Sequence, residues 1–370
     1  MKLAGELIPW KVTDISLRPH DGFWSMNPSI HFDGQLWRCV LRCTDYAMPG
    51  GVTIRSAKAR CNETRTKNVM VIFDPDRWKP LEIYKMREHD ELPRISCPYA
   101  GYEDIRIFWT GKGGLQGIAA SLHLQRSARS ADLEEGSFIK QPAEQVLLSF
   151  DDRYAIRQAL PLRGGWSSSA QKNWVPFDQC TEPRFLYSID RGTMFDARGE
   201  MSSIEARVRP SIRASRRTHV PDDRALRRAQ KRAEMCEGDR EREERSRKKQ
   251  VQHVSELTGD SQEPTHAGLR GGTQLAHVGD DAWLGLGHGM KFVDGLKFYW
   301  HVWYVVDSRG KMRSASPRMK LAPNGIEFAA GMAIDGDRVV VSFGVDDMEC
   351  CIGETRLSAV MEILQPLKCP

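Results

Sequence analysis

The chain has 370 residues, 40% of them hydrophobic, with 10 Trp and 13 Phe. That is enough apolar material for a large core, and it argues against global disorder. Its net charge of +5 is uneven: residues 207–249 hold 16 Lys and Arg against 8 Asp and Glu, a local +8 that leaves −3 on the rest. A mildly acidic body makes nucleic acid an unlikely main ligand and confines any such contact to the basic stretch.

In chain order, the opening MKLAGELIPW places Glu6 and Pro9 where a secretory leader needs an unbroken apolar run, so the chain reads as unsecreted. No later run approaches the roughly 20 apolar residues of a membrane span. Strands are expected at LWRCVLRC (36–43), VMVIF (69–73), IRIFW (105–109), GIAASLHL (117–124), QVLLSF (145–150) and RFLYSI (184–189). After a charged interruption come AWLGLG (282–287), FYWHVWYVVD (298–307), MAID (332–335), RVVVSFGV (338–345) and CCIGET (350–355). These runs are rich in Val, Ile, Phe, Tyr and Trp and are bounded by Gly, Asp, Asn and Pro. Asp33-Gly34, Gly279-Asp280 and Asp335-Gly336 are hairpin signals within them. The fold class is all-β.

So many strands must hide their edges, and radial repetition into a propeller is one way to do so. A polar or acidic landmark precedes an apolar strand at Asn27 (NPSIHF), Glu103 (EDIRIF), Lys172 (KNWVPF), Gly271 (GGTQLA) and Glu327 (EFAAGMAI). The spacings are 76, 69, 99 and 56 residues, and the long one contains the charged stretch. The expectation is a single five-bladed β-propeller over 1–370 with a charged, largely helical insertion at 207–266, between blades 3 and 4. Charges of both signs at i, i+4, as in Glu241/Arg245 and Glu244/Lys248, suit a solvated helix there. A pair of β-sandwiches fits the strand pattern alone.

The 9 Cys are scattered, odd in number and form no CxxC pair, so they read as reduced core thiols in a cytoplasmic protein, with no metal site expected. HExxH and GxSxG are absent, which counts against zincins and serine hydrolases. Gly111-Lys112-Gly113-Gly114 lacks the spacing of a phosphate loop and reads as a hairpin turn. A propeller gathers the starts of its inner strands around one axis. The landmarks would therefore bring Asn27, Glu103, Asp104 and Lys172 into one funnel. Charged groups beside apolar strands are costly to bury unless paired or used, which makes that ring a functional-site expectation.

NPSI with VLRC, YEDIRIF, KNWVPF, GGTQL with WLGLGHG, and GIEFAAGMAI with VVVSFGVDD resemble, in that order, the blade motifs of the family 130 glycoside hydrolases and phosphorylases. The resemblance covers about 20–190 and 268–356. It implies an inverting enzyme acting on β-mannosides or related hexosides, with Asp104 as the general acid. It further implies that Asn27, Arg42, Glu103, Arg106, Lys172, His288 and Asp347 hold substrate, and that no cofactor is needed beyond inorganic phosphate as a co-substrate of the phosphorylases. An oxocarbenium-like transition state needs a proton for the leaving group and a nucleophile on the opposite face. Two departures weigh on the choice of nucleophile. The family's Glu-Asp-Pro-Arg is here Glu103-Asp104-Ile105-Arg106, and its His-Arg-Pro is here Tyr187-Ser188-Ile189. An arginine that would grip phosphate is thus missing, and Arg153, Arg157 or Arg163 would have to replace it.

The expected partner is an oligosaccharide or glycoside, with no membrane and with self-association left open. The rival readings are a glycosyltransferase that uses an activated sugar on the same propeller, and a non-catalytic propeller that binds glycans or a protein.

Overall fold

A computed structural model describes residues 1–17, 23–49, 53–56, 64–88, 99–121, 144–162, 173–189, 192–196, 201–202, 268–293, 296–323 and 325–367. Lys172, Arg163 and the charged stretch 207–266 lie outside them.

The sheets are arranged as a β-propeller, and four of them are antiparallel blades of the regular kind. Blade 1 runs Trp24–Phe32, Trp37–Thr44, Thr64–Phe73 and Pro80–Lys85, with the short Tyr99–Ala100 added in parallel. Blade 2 is Tyr102–Thr110, Gly114–Ser121, Glu144–Phe150 and Ile156–Pro161. Blade 3 is Val175–Pro176, Arg184–Ser188, Thr193–Asp196 and Met201–Ser202. Blade 5 is Glu327–Asp335, Arg338–Val345 and Glu349–Arg356, completed on its outer edge by the N-terminal strand Lys11–Asp14.

The sector between blades 3 and 5 holds a wider, seven-stranded sheet. It starts as the others do, with Ala276–Gly279, Ala282–Val293 and Leu296–Val306 in antiparallel order. Its outer edge is then shared among Met312–Ala315, Met319–Lys320, Lys2–Leu3 and Gln365–Pro366. This sheet departs from the expected four-strand repeat because both chain ends add strands to it. We call it blade 4.

Strands stacked edge to axis bury both faces, and this explains their nearly unbroken apolar runs. Trp37, Cys39, Leu41, Val71 and Phe73 face Val340 and Ile352 of blade 5, while Val40, Met70 and Ile72 on the opposite face meet Ile105, Ile107 and Val146 of blade 2. Phe108, Ile118 and Leu147 then meet Trp174, Phe185 and Phe195 of blade 3. Val175, Phe177 and Leu186 meet Val302 and Tyr304 of blade 4, and Leu284, Leu286 and Trp303 meet Met332, Val341 and Phe343 of blade 5. The apolar layers follow one another around the axis and return to blade 1.

The Asp-Gly and Gly-Asp pairs sit at hairpin turns, with Gly34, Gly279 and Gly336 at positive φ. Gly111–Gly113 forms the expected turn between two strands of blade 2. Cys39, Cys43, Cys180, Cys350 and Cys351 are free thiols, and burial pushes Cys43 up to about 11 and Cys351 up to about 12. No described helix is long and apolar enough to cross a membrane. A helix the pattern did not predict, Leu357–Ile363, follows blade 5 and buries Ala359 and Val360.

Candidate active site

The inner strands of blades 1 and 2 share one irregularity. Each carries a single extra residue, between Met26 and Ser29 and between Glu103 and Arg106. Asn27 (φ 44°) and Asp104 (φ 52°) occupy the left-handed position of these bulges, and Asn173 (φ 64°) does the same just before the inner strand of blade 3. Asn and Asp tolerate this backbone better than other side-chain-bearing residues, and a bulge re-aims the side chain it carries. Three blades thus turn an Asx side chain out of the sheet at the same level. Such outliers cluster where function holds them.

Asp104 is the hub of the described site. Its Oδ1 accepts from Asn27 Nδ2 and from an Arg42 guanidinium nitrogen, both at 2.9 Å. Arg42 is 4% exposed. Its other terminal nitrogen lies 3.3 Å from Glu103 Oε1 and donates to the Tyr46 hydroxyl at 3.2 Å. Burial opposes the charge of Arg42, but Asp104, Tyr46, Glu103 and Asp347 outweigh it and hold the guanidinium firmly protonated. Nearby Asp45 accepts from the Arg65 amide.

Arg106 is 2% exposed and joins four blades. It donates to Gly272 O of blade 4 and, at 3.0 Å, to Asn173 Oδ1 of blade 3, and its guanidinium lies 5.5 Å from the Phe328 ring of blade 5. Burial lowers its pKa to about 10 against the pull of Asp104 and Tyr304. Gly271 allows the close approach, since a Cβ there would meet Asn173 O at 2.0 Å.

His288, 2% exposed, closes the blade 4 side, with its ring 5.5 Å from Tyr299 and 5.1 Å from Phe328. Burial, then His301, Arg106 and Arg270, hold it well below its ordinary pKa, so the imidazole is neutral; its buried Nδ1 has no hydrogen-bond partner among the described residues. Asp347 comes from the hairpin turn of blade 5, where Asp346 and Asp347 both have positive φ. Asp346 Oδ1 accepts from the Ile326 amide. Burial raises the Asp347 carboxyl to about 6, with Asp104 and Asp346 reinforcing and Arg42 and Lys297 opposing.

Asn27, Arg42, Glu103, Asp104, Arg106, His288 and Asp347 are therefore linked at one end of the axis by contact or by charge. The fifth landmark is not part of this group. Glu327 is fully buried beside His301 and Lys320 and accepts from the Leu321 and Ala322 amides. Arg157 lies on the outer strand of blade 2 and Arg153 in the turn before it, so neither takes the place of the missing phosphate-gripping arginine. Sequence reasoning missed Tyr46, Arg270, Lys297, Tyr299 and Phe328. Arg270, beside the Gly271 landmark, and Phe328, beside Glu327, were the two that carried a local signal. Trp174 and Trp303 are core residues. Among the described residues no group of three or more His, Cys, Asp or Glu could hold a metal.

No family model matches the chain. No curated protein matches it in sequence. Solved structures do match in fold. The β-1,2-mannobiose phosphorylase of Listeria innocua, solved with β-1,2-mannobiose, is similar at a TM-score of 0.50 and 10% identity over 95% of this chain and 96% of that one. A glycosyl hydrolase from Bacteroides ovatus is similar at 0.54 and 9% identity over 94% of this chain and 86% of that one. At these identities the likeness is one of fold: the chain is a β-propeller of the shape those proteins have.

Proposed function

We propose that this protein is a carbohydrate-active enzyme that cleaves or transfers glycosyl units, with β-mannosides or related hexosides as its substrate class. The observation that carries the reading is the meeting of two carboxyl groups, Asp104 and Asp347, with Arg42, Asn27 and neutral His288 at the mouth of the axis. Two carboxyl groups in distinct electrostatic settings are what inverting glycoside cleavage requires.

In the leading assignment Asp104 protonates the glycosidic oxygen. With Oδ1 committed to Asn27 and Arg42, the transferred proton would sit on Oδ2. Asp347, ionised above a pH of about 6, would take the proton of the attacking water. The reverse assignment is favoured by one observation: Asp104 accepts two donors, one of them cationic, while Asp347 holds a proton up to about pH 6. Arg42 and Arg106 are both engaged by protein acceptors. Among the described residues, exposed Arg270 and Lys297 are therefore the cations that remain for a phosphate nucleophile or an activated-sugar donor.

Turnover of manno-oligosaccharides and of 2,4-dinitrophenyl glycosides by Asp104→Asn and Asp347→Asn, with and without phosphate, tests the scheme. The variant lacking the acid keeps activity only on the dinitrophenyl leaving group, which needs no proton, and the variant lacking the base is rescued by azide. Loss in both with phosphate required throughout would indicate phosphorolysis. Unchanged turnover in Asp104→Asn would overturn the assignment, and glycan binding without turnover by the native chain would leave a binding propeller.

A further inference from the structure

Outside the axial site, a cavity of about 620 Å³ opens on the rim between blades 1 and 2. Its walls are apolar: Phe23, Val69, Ile83, Met86, Tyr102 and Ile156 line it. Ile83 is 52% exposed although it lies on a strand, so nothing in the described fold covers it. The volume falls within the roughly 300–1,000 Å³ of ordinary small-molecule sites, and an apolar wall with a few convergent polar groups is the usual composition of such sites.

The polar groups have one dominant sign. Among the described residues that line the cavity, Lys67, Lys85 and Arg87 are exposed cations and Glu88 is the single carboxylate. Lys67 lies 4.0 Å over the Phe23 ring, which places a cation beside the apolar wall. Deeper in, Asn68 is 6% exposed; its amide nitrogen donates to Tyr102 O at 3.1 Å, and its buried Oδ1 has no hydrogen-bond partner among the described residues. The site therefore offers an apolar bed, a cationic edge and the Asn68 Oδ1 acceptor.

We infer that this cavity binds an amphipathic organic anion, an aliphatic or aromatic body laid against Phe23, Val69, Ile83 and Met86 with its carboxylate held by Lys67, Lys85 and Arg87. A neutral sugar would leave the cationic edge unused and would meet few acceptors in these walls. A cation of the same body is repelled. The inference stands on this cavity and does not depend on the glycosyl chemistry of the axial site.

Calorimetric titration of the full chain with decanoate, and separately with decyltrimethylammonium, tests it. Decanoate binds saturably, at least about tenfold tighter than the cation, and weakens as salt is raised. The double variant Lys85→Glu, Arg87→Glu weakens decanoate by about tenfold or more and removes the preference over the cation, and Ile83→Asp weakens decanoate as well. All three positions are exposed, so the fold survives these changes, and an unchanged circular dichroism spectrum confirms that it has. Absence of saturable decanoate binding at up to about 1 mM, equal binding of anion and cation, or undiminished binding by the double variant would each overturn the inference.

Discussion

At the scale of single residues, Asp347 and Asp104 differ by what surrounds them. Asp104 is gripped by an arginine and an amide, whereas Asp347 is raised to about 6 because burial outweighs the help of Arg42 and Lys297. A folded-state pKa above the unfolded value favours folding fully below the unfolded pKa, and the benefit is lost as pH rises through the folded one. Asp347 thus supports the fold near pH 4 and burdens it above about 6. A gap of roughly two pKa units corresponds to about 3 kcal/mol, which partial exposure reduces to about 1–2 kcal/mol. Asp347→Asn should therefore leave stability unchanged at pH 4 and raise it by about 1–2 kcal/mol at pH 8 while lowering turnover. Denaturant midpoints at the two pH values decide the matter, and an equal effect at both would remove the electrostatic account.

At the scale of elements, the strands that the sequence announced are those buried on both faces, because only these read as unbroken apolar runs. The outer strands Pro80–Lys85 and Ile156–Pro161 show little beyond scattered exposed residues and gave no such run. The site was legible to the same degree. Asn27, Glu103 and Asp104 stand at inner-strand starts, where the repeat pointed, while Tyr46, Tyr299 and Lys297 reach the axis from second and third strands and their turns, which no inner-strand pattern marks. The bulges that aim Asn27 and Asp104 were invisible because an extra residue leaves no mark until the partner strand is known. Blade 5 carries a bulge of the same kind between Ala329 and Gly331, and there a glycine brings the inner strands of blades 5 and 1 together. A Cβ at Gly331 would meet Ile30 N at 2.2 Å and Ser29 Cα at 2.7 Å, so the two backbones must part. Gly331→Ala should cost about 2–3 kcal/mol in a denaturant titration, and should reduce turnover by more than the loss of folded protein explains. A cost under about 0.5 kcal/mol would mean that the two strands are free to move apart.

At the scale of the whole molecule, the two carboxyl groups come close enough to feel each other's charge only because the ring of sheets is closed. Asp104 belongs to blade 2 and Asp347 to blade 5, and between them lies blade 1, whose Asn27 packs against Gly344 so closely that a Cβ there would meet Asn27 Oδ1 at 2.5 Å. The chain's first residues make that closure. Lys11–Asp14 completes the outer edge of blade 5, Lys2–Leu3 joins the blade 4 sheet, and Trp10 donates to Leu321 O at 3.0 Å while packing on Phe343 at 6.4 Å. Removing residues 1–16 strips the edge of blade 5 and uncovers the core contacts of Ala4 and Ile8. Several kilocalories of packing go with them, so the thermal midpoint should fall by about 10 °C or more, with turnover lost before the strand signal in circular dichroism. Trp10→Ala is the milder form, costing about 2 kcal/mol with the ring still closed at room temperature. If the shortened chain kept both its midpoint and its turnover, blade-to-blade packing alone would be holding Asp347 against Asn27 and Arg42, and the N-terminal strand would be an accessory to the ring.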